Sequence, residues 1–291
     1  MAGANTAIIA NDYNAIQSKI ANVLGTGSQD FGYGQSVSSS QVARDIKITV
    51  DQWNALRNDL LKARQHQTGV NEGSNLITPT NSTTIKEIDR YYYNAFSDLI
   101  VTNRLICNEA TVETLHSVIR TAQWGSTITQ TVTITFSSSD AARYFFNAGG
   151  KFQFSSTFKN YTSDGSLLVN QSWETLLDNM RTISFGAYAT TTTGTGTPQP
   201  IGFYNLTSTN QLVFTKLVEP GNQYSPNQYD LYARISGPRV IFTPTWSYTS
   251  SGHGPILENA NGTLTSLTAI YRPSGSNVSI PAPNSSTTNI D

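Results

Sequence analysis

Cysteine occurs once in this 291-residue chain, at Cys107. No internal disulfide framework and no cysteine-built zinc site can therefore be assembled within it. Charge is scarce as well. Lys and Arg total 18 and Asp and Glu 19, together 13% of residues and a net charge of −1, against the roughly 25% charged residues usual in soluble domains. A chain so close to neutral offers no electrostatic footprint for nucleic acid or for an anionic membrane. No apolar run approaches the ~18 residues that a membrane span needs. Met1 to Ile9 carries neither a basic region nor a useful apolar stretch, which argues against a secretory signal.

Catalytic and ligand-binding signatures are equally thin. The histidines are His66, His116 and His253, none in an H-x-H or H-x-x-x-H arrangement. Each reads as a polar surface residue or a satisfied core residue rather than a metal ligand. Cys107 has no flanking glycine and reads as a buried apolar thiol. No G-x-S-x-G elbow is present for an acyl-transfer serine. Gly25-Thr26-Gly27 lacks the third glycine and the Lys-Ser/Thr of a phosphate loop, and it follows a helix instead of a strand. The carboxylate pairs Glu87/Asp89 and Glu109/Glu113 are explained at low cost by solvated helix faces, and spacing alone does not make either a glycosidase pair. No cofactor and no metal are implied, and the expectation is a protein that is not an enzyme.

Uncharged polarity takes the place of charge: 38 Thr, 32 Ser, 25 Asn and 15 Gln, more than a third of the chain. Disorder does not follow, because 14 Tyr, 12 Phe and 4 Trp supply material for packed cores. Thr and Tyr suit a half-exposed pleated surface, while Asn, Gly and Ser populate turns. Secreted β-sandwiches, adhesins and virion proteins share this composition. The length is compatible with about two domains. Seven Asn-x-Ser/Thr sequons, at Asn81, Asn160, Asn170, Asn205, Asn261, Asn277 and Asn284, are what the composition itself yields.

The first ~110 residues read as helices. Tyr13, Ile16, Ile20 and Val23 recur on one face, with Asn11 or Asp12 as cap and Gly25 as stop. Thr49 and Gln52 form a capping box before the stripe Trp53, Leu56 and Leu60, which ends at Gly69. A second box, Thr84 with Glu87, is expected to open a longer helix carrying Ile88, Tyr92, Ala95 and Leu99 on one side. From about Val112 the period becomes two. Ile128, Gln130, Val132, Ile134 and Phe136 share one face of an expected strand, and threonines at 127, 129, 131, 133 and 135 share the other. Further strands are expected at Lys151–Phe158, Leu212–Val218, Tyr229–Ile235, Val240–Trp246 and Leu264–Tyr271, with one helix from Ser172 to Met180. Thr190–Pro200 and Pro273–Asp291 read as flexible segments, the second alternatively as an arm ordered by a neighbouring subunit.

Tyr91, Tyr92 and Tyr93 cannot all face one core, since a helix turns ~100° between neighbours. They form the candidate assembly surface. Phe145, Phe146, Asn147, Gly149 and Gly150 form a candidate fold-specifying corner, in which both glycines permit positive φ and both phenylalanines plug the end of a sandwich.

Three segments carry a resemblance. They are Tyr13–Ile16 leading through Val23–Ser28 to Phe31–Gln35, then Gln52–Leu60 closing on His66–Gly69, and Ser137–Phe152. Together they resemble a family of virion structural proteins of contractile-tailed phages, in particular those infecting cyanobacteria and other marine bacteria. The likeness covers about residues 11–70 and 120–160. It implies a particle component of the neck, tail fibre or baseplate, made in the host cytoplasm and located in the virion, with no catalysis attached. The expected partners are itself and other virion proteins, with no nucleic acid and no membrane. A homotrimer is the expected oligomer, by analogy with three-fold appendages. A carbohydrate-binding or adhesin module contacting a host-surface glycan and a capsid-surface decoration protein are the alternatives. The expected architecture is α+β: a helical assembly region over 1–110, an antiparallel β-sandwich over 111–272 and a C-terminal arm over 273–291.

Overall fold

The computed structural model describes residues 10–44, 46–81, 83, 85–160, 168–218, 227–248 and 259–291. The class is α+β, with N-terminal helices followed by two antiparallel sheets. Among the described residues the helices are α1 (Ala10–Leu24), α2 (Val50–Thr68), α3 (Glu87–Thr102), α4 (Ser139–Asn147) and α5 (Leu168–Met180). The strands are β1 (Thr111–Arg120), β2 (Ile128–Thr129), β3 (Val132–Thr135), β4 (Lys151–Asn160), β5 (Ile183–Phe185), β6 (Thr190–Thr192), β7 (Thr197–Pro198), β8 (Gln211–Leu217), β9 (Gln228–Ser236), β10 (Arg239–Ser247), β11 (Gly262–Arg272) and β12 (Asn284–Thr287). The chain forms two compact units. One comprises residues 1–111 with 143–150 and 272–281, and the other holds the remainder.

The helical unit is built on an aromatic ladder. Tyr13 of α1 meets Trp53 of α2 edge-on at 5.2 Å, and Trp53 meets Tyr93 of α3 at 5.1 Å. Burial pushes the Tyr13 phenol up to about 12, and its hydroxyl donates to the Gln52 carbonyl. The Thr49/Gln52 capping box is formed in both directions, and Gly69 closes α2 in the left-handed conformation with φ 77°. Asp59 is buried on α2 and accepts from the backbone N–H groups of Ser38 and Ser39 and from the Ser39 hydroxyl, the last at 2.7 Å. Asn14 on α1 exchanges two hydrogen bonds with the Val42 backbone, so the loop between α1 and α2 is strapped to both helices.

The first two segments that carry the resemblance, and residues 143–150 of the third, meet in this unit. After α1 the chain turns back, and the N–H groups of Tyr33, Gln35 and Gly34 donate to the carbonyls of Val23, Leu24 and Gly25. Carbonyls left open at the helix end are thereby satisfied. Arg143 of α4 donates to the carbonyls of Thr26, Gln29 and Phe31. One turn later, the Asn147 amide donates to those of Gln29 and Gly32. Arg104 pairs with the Asp30 carboxylate and also donates to its backbone carbonyl. The Tyr33 hydroxyl donates to the Arg104 carbonyl at 2.6 Å and accepts from Gln67.

The second unit is a two-sheet sandwich. One sheet has the order β1-β11-β4-β5-β6, the other β12-β3-β10-β9-β8-β7, with β2 also on β10. Phe152 and Phe154 of β4 and Phe185 of β5 converge on Phe242 of β10 at 5.8, 4.7 and 5.1 Å, which joins the two inner faces. Helix α5 lies along β4 with Trp173 buried beside Trp124.

Several expectations are corrected. Asn11 and Asp12 lie inside α1 rather than capping it. Thr84 and His253 fall outside the described residues; α3 begins at Glu87, with the Asp89 carboxylate accepting the Lys86 N–H. The strand expected over 128–136 is divided because Gln130 faces Pro244, which has no N–H to return to the ladder. Thr190–Pro200 is ordered into β6 and β7. Its backbone and hydroxyls donate to the last carbonyls of α5, Thr195 N–H to Asn179 and Thr192 Oγ1 to Met180. The C-terminal segment is ordered on its own chain. Val278 and Ile280 are buried with the helical unit, β12 pairs with β3, and Asp291 exchanges backbone bonds with Thr129.

Candidate assembly surface

Helix α3 is apolar on two faces. Tyr93, Phe96 and Ile100 are buried, and the Tyr93 hydroxyl donates to the Ile77 carbonyl at 2.9 Å. The other face carries Ile88 (51% exposed), Tyr91 (63%), Tyr92 (39%) and Leu99 (48%). At ~100° per residue, these four and Ala95 lie within about 100° of the helix circumference. The Tyr91 and Tyr92 rings meet edge-on at 5.8 Å, which fixes them against each other.

A polar row bounds the stripe. Arg90 pairs with Glu87 and lies 3.6 Å from Asp12 of α1. Lys19 of α1 binds Asp98 at 2.6 Å and Asn94 at 2.9 Å. The hydrogen bond from Arg90 holds the Glu87 carboxyl below its ordinary value. The row at 90, 94 and 98 thus fastens α3 to α1, and the apolar stripe beside it faces outward.

Tyr91 and Tyr92 belong to this surface and Tyr93 does not, being buried in the aromatic ladder. The side Ile88, Tyr92, Ala95 and Leu99, read from the sequence as one helix face, is the outward one. The corner residues lie elsewhere. Phe145 and Phe146 are fully buried and belong to the helical unit instead of plugging the sandwich, because Arg143 and Asn147 draw this half of α4 onto the loop after α1. Gly149 has φ 92°. Gly150 has no positive φ; there a Cβ would come within 2.6 Å of the Phe145 carbonyl oxygen.

His66, separated from other chemistry-bearing residues in sequence, has two close neighbours in space. Its Nδ1 is 3.8 Å from Cys107 Sγ and 3.9 Å from Glu109 Oε2, and its Nε2 is 2.9 Å from the Ala148 carbonyl oxygen. That carbonyl accepts only from a protonated Nε2, which assigns the tautomer and leaves Nδ1 to accept the thiol proton. Burial lowers the His66 pKa, so the ring is neutral at pH 7 and the contact with Glu109 is not an ion pair. A reactive cysteine needs an accessible, electropositive setting. Cys107 is instead buried, and a Cβ at Gly149 would lie 2.9 Å from it. This cluster ties α2 to the segments that follow α3 and α4.

Among the described residues no group of three or more His, Cys, Asp or Glu is placed to hold a metal ion, and no helix is long and apolar enough to cross a membrane. No family model matches the chain, and neither a curated protein nor a solved structure matches it significantly.

Proposed function

We propose that the chain is a non-enzymatic structural component of a tailed-phage virion, in the neck, tail fibre or baseplate, that works by self-assembly and by docking to other particle proteins. The outward apolar stripe of α3 is the observation that carries this reading. Four large apolar side chains on one helix face, rimmed by a charged row, have the composition of an interface core with its polar rim. The resemblance adds support, since its first two segments and residues 143–150 of the third interlock in the unit bearing α3. Labelling contractile-tailed particles that contain the protein with a specific antibody, and imaging them by electron microscopy, tests the assignment. The expected result is label at the neck, tail or baseplate. Protein that never co-sediments with particles contradicts it.

One observation favours the adhesin alternative. Tyr188, 43% exposed, stacks on Tyr204 at 5.2 Å and 29°, and Phe203 stands edge-on to Tyr204 on the same rim of the sandwich. Such a platform suits the apolar face of a sugar ring. Saturable glycan binding that Tyr188→Ala removes is the result that would give this reading precedence.

A further inference from the structure

The outer face of α3 has a period as well as an exposure. Its apolar positions are Ile88, Tyr92, Ala95 and Leu99, spaced by four, three and four residues. That is the a/d seam by which one helix pairs with another. Ile88, Tyr92 and Leu99 are exposed and Ala95 is half-buried. Tyr91, edge-on to Tyr92, and Asp98, bound by Lys19, flank the seam on one side. On the other side the Asp89 carboxylate returns to the start of the helix, and Phe96 turns into the core.

We propose that α3 pairs with α3 of a second copy, antiparallel and about a two-fold axis at the level of Tyr93 and Asn94, so that the two outer stripes become one shared core. This deepens the self-assembly reading and rests on it. The stripe's own sequence selects the occupant. Ile88 and Leu99 lie equally far from that midpoint, and so do Tyr92 and Ala95. In the antiparallel pair Ile88 of one copy faces Leu99 of the other, and Tyr92 faces Ala95. Each large ring then covers the smallest position of the opposite seam, which is how facing layers fill without voids. Tyr91 comes beside Asp98 of the other copy, a phenol donor meeting a carboxylate acceptor. A parallel, in-register pairing is worse on both counts. It sets Tyr92 against Tyr92 and Ala95 against Ala95, crowding one layer and emptying the next. It also gathers the Glu87 and Asp89 carboxylates of both copies at one end, where the antiparallel pair keeps them apart. A net charge of −1 puts no long-range repulsion between copies. The contact is isologous and closes at two copies, in place of the three expected by analogy.

The test uses the full chain with the buried Cys107 retained. Copies carrying Ile88→Cys are mixed with copies carrying Leu99→Cys, diluted, reconcentrated and mildly oxidised. Both positions are exposed, so an unchanged melting temperature identifies folded variants. Facing seam positions lie side by side, whereas the two copies' own positions 99 are about 16 Å apart along the helix axis, beyond disulfide reach. The mixture is therefore expected to cross-link on the order of tenfold faster than Leu99→Cys alone. Light scattering of the wild type is expected to give an even number of copies, halved by Ala95→Glu. Faster cross-linking of Leu99→Cys alone reveals a parallel pair and overturns the proposal. So does a trimer that Ala95→Glu disperses, and so does a wild type that is monomeric at every concentration. The monomer leaves the virion reading to the particle labelling: label on particles then makes another virion protein the occupant of the stripe, and absence of label removes both readings.

Discussion

At the residue scale, buried polar groups hold the helical unit in one arrangement. Asp59 holds Ser38 and Ser39 through charge-assisted bonds, and its removal strands the donors of Ser39, which is buried. Asp59→Ala is expected to cost about 3 kcal/mol, read as a lower midpoint of urea unfolding, with Asp59→Asn milder because an amide oxygen still accepts. His66 gives stability a pH dependence. Burial lowers its folded pKa, so the unfolded chain takes up the proton first. Its contribution is complete above the ordinary histidine value near 6.5 and is lost as pH falls below it, by at most about 1.4 kcal/mol per pH unit. The groups facing the ring are Cys107, Glu109 and Tyr33. His116, also lowered by burial, is unaffected by substitution at 66. His66→Gln is therefore expected to flatten the fall in unfolding free energy between pH 7 and 5; an unchanged slope contradicts the assigned role. None of this was legible in the sequence. Stripe positions such as Tyr13 and Leu56 announce themselves by period, but His66, Cys107 and Glu109 are brought together only by tertiary folding.

At the element scale, local chemistry was readable wherever a side chain acts within its own turn. The Thr49/Gln52 box is such a case, and Thr49→Ala is expected to cost about 1 kcal/mol in thermal or chemical unfolding. Elements held by distant partners were not readable. β1 shows no period of two in its sequence, because TVETLHSVIR has apolar residues of both parities, as an edge strand with no buried face tolerates. The threonine tract at 190–200 lacks apolar anchors and is ordered by the open carbonyls of α5, which composition does not encode. On α3 the period was right and its meaning incomplete. The helix has apolar residues for two faces, and the aromatic ladder decides that Tyr93, Phe96 and Ile100 are the inner ones. Charge on the outer face is accordingly expected to leave stability alone: Tyr91→Glu should shift the melting temperature by no more than a few degrees, whereas Tyr93→Ala, removing a buried ring, should cost about 3–5 kcal/mol.

At the scale of the whole molecule, the change from period 3.6 to period 2 near residue 111 made the α+β class legible. The composition of the compact units was not. Residues 143–150 and 272–281 leave the surrounding sandwich sequence to join the helices, through bonds from Arg143 and Asn147 to a loop more than a hundred positions earlier. Such exchanges leave no periodic trace. The chain that results is nearly neutral, and it carries an outward apolar face on α3.

Self-assembly through α3 is tested most directly by the absolute mass of the purified full-length protein, measured by light scattering across a concentration series beside the Tyr91→Glu, Leu99→Glu variant. A discrete wild-type oligomer that loses its α3-dependent copies in a folded variant is the predicted result. A wild type and a variant of identical mass at every concentration would contradict it.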